Sequence, residues 1–322
     1  MFSRFYHIAV NTFRETIGQP IYGVVLLASA LMMILNVALA GFTLDDDDKL
    51  LLDLGLSTLL LTGMFLSVFS ATGVLTREIE NKTVLTVISK PVSRPVFLLG
   101  KYAGVMAALA VAMYLSYLVF LMTLRHKVLQ NSSDPWDGPV LVFGFGGLAL
   151  ALGVAAFCNY FYGKDFSTTS LALATPLLTV SVLLTGLWDK TWNRQPFGEG
   201  IFHSDIFLAA FLVGLAVAVL AAVALAASTR LSQVMTLLVC ILVGMVGLVA
   251  DFALGQYAAD SIVAKTLYHT LPNLGFFWII DAVNAGIVVP ANYVAMAVGY
   301  TILQVTAILA IGVALFQRRE VG

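Results

Sequence analysis

Apolar residues along this chain gather in long runs, and polar residues collect in a few short breaks between them. A run of about 20 apolar residues predicts a helix that crosses a ~30 Å hydrocarbon core. Eight such runs can be drawn, over residues 20–42, 54–75, 100–124, 139–162, 166–188, 205–227, 231–254 and 290–316. The predicted fold class is therefore an all-α integral membrane protein of about eight transmembrane helices, because in lipid only helices and closed barrels satisfy their own backbone groups. The breaks at 163–165 and 228–230 are short enough to make the flanking spans antiparallel neighbours. Within the third run, Gly100, Gly104, Ala108, Ala112 and Ser116 recur every four residues. Small residues at that spacing form a face on which another helix can pack closely. Pro176, inside the fifth run, predicts a kink.

Three stretches depart from plain hydrophobicity. Residues 1–18 are amphipathic, with Phe2, Phe5, Tyr6, Ala9, Val10, Phe13 and Ile17 on one face and Arg4, His7, Asn11, Arg14 and Glu15 on the other. Such a helix is expected to lie in the membrane interface with Arg4 and Arg14 toward headgroups. Residues 77–101 form the one long charged stretch between two apolar runs. Here Val84, Leu85, Val87 and Ile88 share a helical face opposite Glu78, Lys82, Thr86, Ser89 and Lys90. Pro91 should end that short helix near Ser89, and Ser93-Arg94-Pro95 should open the next. Residues 255–289 are too polar at first and too short later for a ninth span. They predict short helices at the outer interface, acting as a lid or a simple cap. The domain reading is an interfacial helix over 1–18 and one transmembrane domain over 19–322, which carries the charged segment 76–100 and the outer segment 255–289.

Composition agrees with this picture and adds an orientation. The chain of 322 residues is 60% hydrophobic and 11% charged, with a mean hydropathy of +0.95, so most of it must face lipid or other apolar helices. A net charge of −1 argues against nucleic acid as a partner. With the N-terminus inside, the inner segments hold 11 of the 17 Lys and Arg, and the outer loops hold 13 of the 18 acids. That asymmetry places both termini on the cytoplasmic side of an inner (plasma) membrane. Arg125-His126-Lys127 runs against the rule but is outweighed by the 77–101 stretch. The four Trp residues, 136, 188, 192 and 278, fall at the outer boundary, where indoles anchor. Ala38-Leu39-Ala40 resembles a processing site, but the apolar run before it is longer than a signal core, so a retained first helix is expected. The acidic run Asp45 to Asp48 is expected to be a solvated loop, and Cys158 and Cys240 to be inert thiols within apolar runs.

Chemistry-bearing constellations are sparse. A mid-bilayer charge costs roughly 2.5–3.5 kcal/mol and persists for function, and Asp251, near the end of its run, is the nearest candidate. The four His residues are scattered, and no nucleophile elbow or phosphate-cradling loop occurs. Gly100-Lys101 is followed by Tyr102, and Gly163-Lys164 by Asp165. No catalytic residue, metal ligand or bound cofactor is assigned, and energy for uphill movement would come from another subunit. A secondary transporter dependent on carboxylates such as Asp251, a membrane-embedded enzyme and a structural subunit are the rival readings.

The stretches Arg77-Glu78-Ile79-Glu80-Asn81-Lys82-Thr83, Ser89-Lys90-Pro91-Val92-Ser93-Arg94 and Leu99-Gly100-Lys101 carry a resemblance. The chain resembles permease subunits of the type-2 family of ATP-binding-cassette (ABC) exporters, nearest to the branch serving nitrous-oxide-reductase maturation and gliding motility. The N-terminal amphipathic helix, Leu271-Pro272-Asn273, the Asp281 region and the closing Phe316-Gln317-Arg318-Arg319-Glu320 are similar to the family's elbow, last outer segment and final span. Lys82 stands where family members carry Gly, and many members have six spans. The resemblance implies a bacterial, non-catalytic permease in a dimeric core, homodimeric or heterodimeric, bound to two cytoplasmic ATPase subunits that hold ATP and magnesium. It implies a coupling helix seated on the ATPase, built from Glu78, Glu80, Lys82, Thr83, Val84, Val87 and Ile88. Pro91 and Arg94 belong to the same coupling set, and the movement would pass through Pro91 to Lys101 into the second and third spans. The cargo, or a force transmitted without cargo, is left open, and membrane lipid is the remaining expected partner.

Overall fold

The computed structural model describes residues 2–41, 46–80, 93–129, 134–257 and 261–317. Its described residues are mostly helical, with no strand among them, and the chain is an all-α membrane protein. In chain order the elements are α1 (Phe2–Ile17), α2 (Pro20–Ala40), α3 (Asp47–Glu80), α4 (Arg94–His126), α5 (Val140–Tyr162), α6 (Phe166–Thr185), α7 (Ser204–Ser228) and α8 (Gln233–Leu248). After these come the short helices α9 (Ala250–Ala253), α10 (Ile262–Thr270) and α11 (Ile280–Asn284), and then the long α12 (Ala291–Gln317). Seven of the described helices are long and apolar enough to cross a membrane, or eight if a bent pair counts as one.

That bent pair corrects the seventh predicted span. The run 231–254 is not one helix: α8 stops at Leu248, and Ala250–Tyr257 leaves it at 76°. In a continuous helix the carbonyl of Gly247 would accept from residue 251, but here it accepts from the N–H of Leu274 at 2.8 Å. Gly247 also lies so close to the Pro272 carbonyl that a Cβ there would sit 2.6 Å from it. An outside donor thus takes over the helix bond, and the helix breaks.

Two spans are longer than their apolar runs. α3 has 34 residues and α4 has 33, each about 50 Å long at 1.5 Å per residue. α3 starts before the run 54–75 and continues past it to Glu80, and α4 begins at Arg94 with Pro95 in its first turn. Phe97 donates its N–H to the Ser93 carbonyl, so the predicted start at Ser93-Arg94-Pro95 is where α4 opens. α6 continues through Pro176 as a single helix. The three-residue turn before it works as the sequence suggests. Gly163 takes a left-handed φ of 62° to close α5, and Asp165 accepts from the N–H of Thr168 to open α6. Gly147 meets Ser181 closely, a Cβ there falling 2.3 Å from its Oγ, so α5 and α6 are packed antiparallel.

The chain divides into two compact units. Unit A comprises residues 1–16, 63–109 and 211–322, and unit B residues 17–62 and 110–210. Unit B has a neutral polar seam. Asn36 donates to Thr58 Oγ1 at 3.0 Å, and Thr62 donates to Ser29 Oγ at 2.8 Å, which lies 3.4 Å from Ser116 Oγ. These bonds tie α2 to α3 and α4 where lipid supplies no hydrophobic drive. At the far end of α4, Arg125 is buried against Asp137 at 3.0 Å and donates to the carbonyls of Thr185 and Trp188. Lys127 pairs with Asp48 at 2.7 Å. The basic cluster that ran against the charge rule is therefore largely consumed by internal partners.

Candidate coupling site

Most of the predicted coupling helix falls on residues 81–92, and Lys82, Thr83, Val84, Val87, Ile88 and Pro91 lie outside the described residues. Glu78 and Glu80 are in the last turn of α3. The site is built from what receives the chain after residue 92, the start of α4 in unit A.

Arg94, the first residue of α4, reaches the end of α12 and donates through Nη1 to the carbonyls of Phe316 and Gln317. Its guanidinium lies 5.8 Å from the centre of the Phe316 ring, and Phe97 stacks on that ring at 5.9 Å. From the turn after α7, Arg230 donates through Nε and Nη2 to the Leu315 carbonyl at 3.1 and 2.8 Å. Two guanidiniums from separate parts of the chain therefore converge on the successive carbonyls of Leu315, Phe316 and Gln317, the last described residues of α12. One turn and a half further in, a Cβ on Gly312 of α12 would meet Ala226 of α7 at 3.1 Å and Leu98 of α4 at 3.2 Å. Tyr102 Oη closes the junction by donating to the Ala218 carbonyl of α7 at 3.0 Å.

The other side of α4 holds α1. A Cβ on Gly104 would lie 2.4 Å from the Ala9 carbonyl and 2.6 Å from Thr12 Cβ, and one on Gly100 would lie 2.8 Å from Ile8. The two helices approach so closely that only glycine fits. Lys101, 2% exposed, extends to Glu15 of α1 at 3.6 Å, with its ammonium 5.6 Å from the centre of the Phe97 ring.

This contact changes the reading of α1. The side that packs is formed by Ile8, Ala9, Thr12 and Thr16, with both threonines fully buried, while Tyr6 of the predicted apolar face is 57% exposed. Close approach to a glycine face selects small side chains, and that outweighs hydrophobicity along α1. Arg4 and Arg14 lie on its exposed side. Ala108 and Ala112, further along the small-residue face of α4, are fully buried.

The structure thus brings together Arg94, Gly100 and Gly104 of the predicted set. To them it adds Glu15, Lys101, Tyr102, Arg230, Gly312 and Phe316. Their signal in the sequence is slight: a lone basic residue in a short turn, and a glycine in an apolar run, reveal nothing until the partner helix is placed.

Asp251 lies apart from this junction, in the first turn after the break in α8. It is exposed and accepts from Tyr268 Oη and Asn273 Nδ2, each at 2.8 Å. Accepting that bond from Tyr268 holds the phenol proton on and moves its pKa above the ordinary range. Around it the 255–289 segment is fixed by a ring cluster of Phe276, Phe277, Tyr293 and Tyr300, and Tyr293 donates to the Phe276 carbonyl at 2.6 Å. Two neutral donors fix the carboxylate as a tie between α9, α10 and the loop before residue 275.

Taken together, the site is a multi-helix junction at the start of α4 in a multi-pass membrane protein. No family model matches the chain, and no curated protein matches it in sequence.

Proposed function

We propose that the chain is the non-catalytic permease subunit of an ATP-driven, ABC exporter-type complex. In this reading a separate cytoplasmic ATPase pushes on the segment from Glu78 to Arg94, and the permease converts that push into transport or transmitted force. The observation that carries the reading is the junction at the start of α4. The chain leaving residue 92 enters a helix fixed at its first residue to α12, just over two turns on to α7, and by two glycines and a buried Lys to α1. A displacement delivered there has stiff elements to move, as a coupling device requires.

The reading places both termini and the 81–92 segment on the cytoplasmic side of a plasma membrane, with ATP and magnesium held by two copies of the partner ATPase. A second copy of the chain, or a related one, completes the membrane core. Glu78, Glu80 and Lys82 supply charges of both signs for a complementary rim on the partner, while Arg94 is turned inward to the carbonyls of α12.

The test is purification from native membranes in mild detergent. A stoichiometric ATPase is expected with the unaltered chain, and Glu78→Lys or Glu80→Lys should reduce its recovery while membrane insertion is unchanged. Full recovery of the ATPase with both variants would remove Glu78 and Glu80 from the contact. Absence of any ATPase from an otherwise intact complex would overturn the proposal.

A further inference from the structure

Unit B contains a crevice that the coupling reading does not use. It has a volume of about 480 Å³ and is walled by Gly23, Leu27 and Ala30 of α2, Leu148 of α5, and Ala174 and Leu178 of α6. Along α2 the lining extends from Pro20 to Ile34, a rise of about 21 Å, longer than the ~15 Å depth of one leaflet's hydrocarbon. Val24, Phe145 and Phe166 on the rim are 59%, 51% and 43% exposed, so the crevice opens sideways. The helices that wall it are membrane spans, and the opening therefore meets acyl chains rather than water.

Polar groups in and beside it are segregated. Ser116 is engaged by Ser29 in the seam already described. Ser167 and Ser170 lie together in the first turns of α6, just after the turn that carries Lys164. Lys164 is exposed and forms no ion pair among the described residues, and its neighbour Asp165 is occupied as the cap of α6. Tyr160 and Tyr162, in the last turn of α5, are 83% and 70% exposed. Hydroxyls at one end of an otherwise apolar trough, with an ammonium three residues before Ser167 in the adjoining turn, match an amphiphile with an anionic head and a long chain.

We propose that this crevice holds an acyl chain of an anionic phospholipid, with the phosphate at Lys164 and the ester groups beside Ser167. The proposal stands apart from the coupling reading and is tested without the ATPase.

The probe is phosphatidylglycerol with a photoactivatable acyl chain, at trace level in phosphatidylcholine vesicles containing the reconstituted chain. Labelled positions are mapped by mass spectrometry. Labelling of the α2 and α6 lining is expected to exceed that of Ile302 and Leu303 on α12, which are 60% and 72% exposed. Unlabelled phosphatidylglycerol should displace it, and added phosphatidylcholine should not. Ala174→Phe, or Ala30→Phe if the first variant does not reach the membrane, should abolish crevice labelling and leave α12 labelling intact. Lys164→Gln should reduce crevice labelling about fivefold.

Labelling that only follows exposure, or equal displacement by both lipids, would mean an annular lipid only and would overturn the proposal. So would a disulfide between two copies through Leu27→Cys, which would assign the crevice to a neighbouring protein helix.

Discussion

Gly104 sets the separation of α1 and α4 more strictly than any apolar contact between them, because the nearest atom to a Cβ there is the backbone oxygen of Ala9. A backbone atom cannot rotate away as a side chain can. Gly104→Val should therefore displace α1 at a cost of about 1–3 kcal/mol, read as faster proteolysis within residues 2–17 while α2 to α12 stay protected. Equal protection in the variant would show that α1 is held by Lys101 and Glu15 instead. The sequence pointed to the small-residue face of α4 but not to what covers it. Periodicity on one helix names a face, whereas the match to Ala9 and Thr12 depends on the shape of both helices. Glu15 illustrates the same point: its position marks a polar face, and only the arrival of Lys101 makes it a partner.

At the scale of elements, the long helices were legible because hydrophobic runs and membrane thickness dictate them. Their ends were less so. Hydropathy stops at the first charge, but a helix does not, and Asp47 to Asp53 and Thr76 to Glu80 continue α3 beyond its apolar part. The break in α8 was hidden because it arises from Leu274, which is remote in sequence and competes for the Gly247 carbonyl.

The connection between α6 and α7 shows how a loop without apolar periodicity acquires structure. Asp189 accepts from the N–H groups of Thr191 and Asn193, and Trp188 and Arg194 form a two-residue antiparallel bridge. The bond from the Asn193 N–H is the main cause that holds the Asp189 carboxyl below the usual carboxylate range. A depressed acid stabilises the turn above its unfolded pKa and loses that contribution as pH falls through its folded value. Fluorescence of Trp188 and Trp192 should thus stay constant from neutral pH through the ordinary carboxylate range and change only below it. Asp189→Asn should abolish the acid transition; an unchanged transition would assign it to another carboxylate.

For the whole molecule, the proposed function rests on whether movement at residue 93 is transmitted. Arg94→Ala removes one of the two guanidiniums bonded to α12 while leaving Gly100, Gly104 and Lys101 to hold α1. In the proposed complex the variant should still assemble with the ATPase and hydrolyse ATP, yet lose most downstream activity. Retention of full activity would exclude α12 as part of the transmission path.

The double engagement of the α12 carbonyls also has an evolutionary side. Arg94 and Arg230 are 136 positions apart in the sequence, yet they bond successive carbonyls of α12. Loss of either raises the selective value of the other, and a rotated α12 would release both at once. Among related chains, loss of the basic residue at one of positions 94 and 230 should therefore be accompanied by its retention at the other.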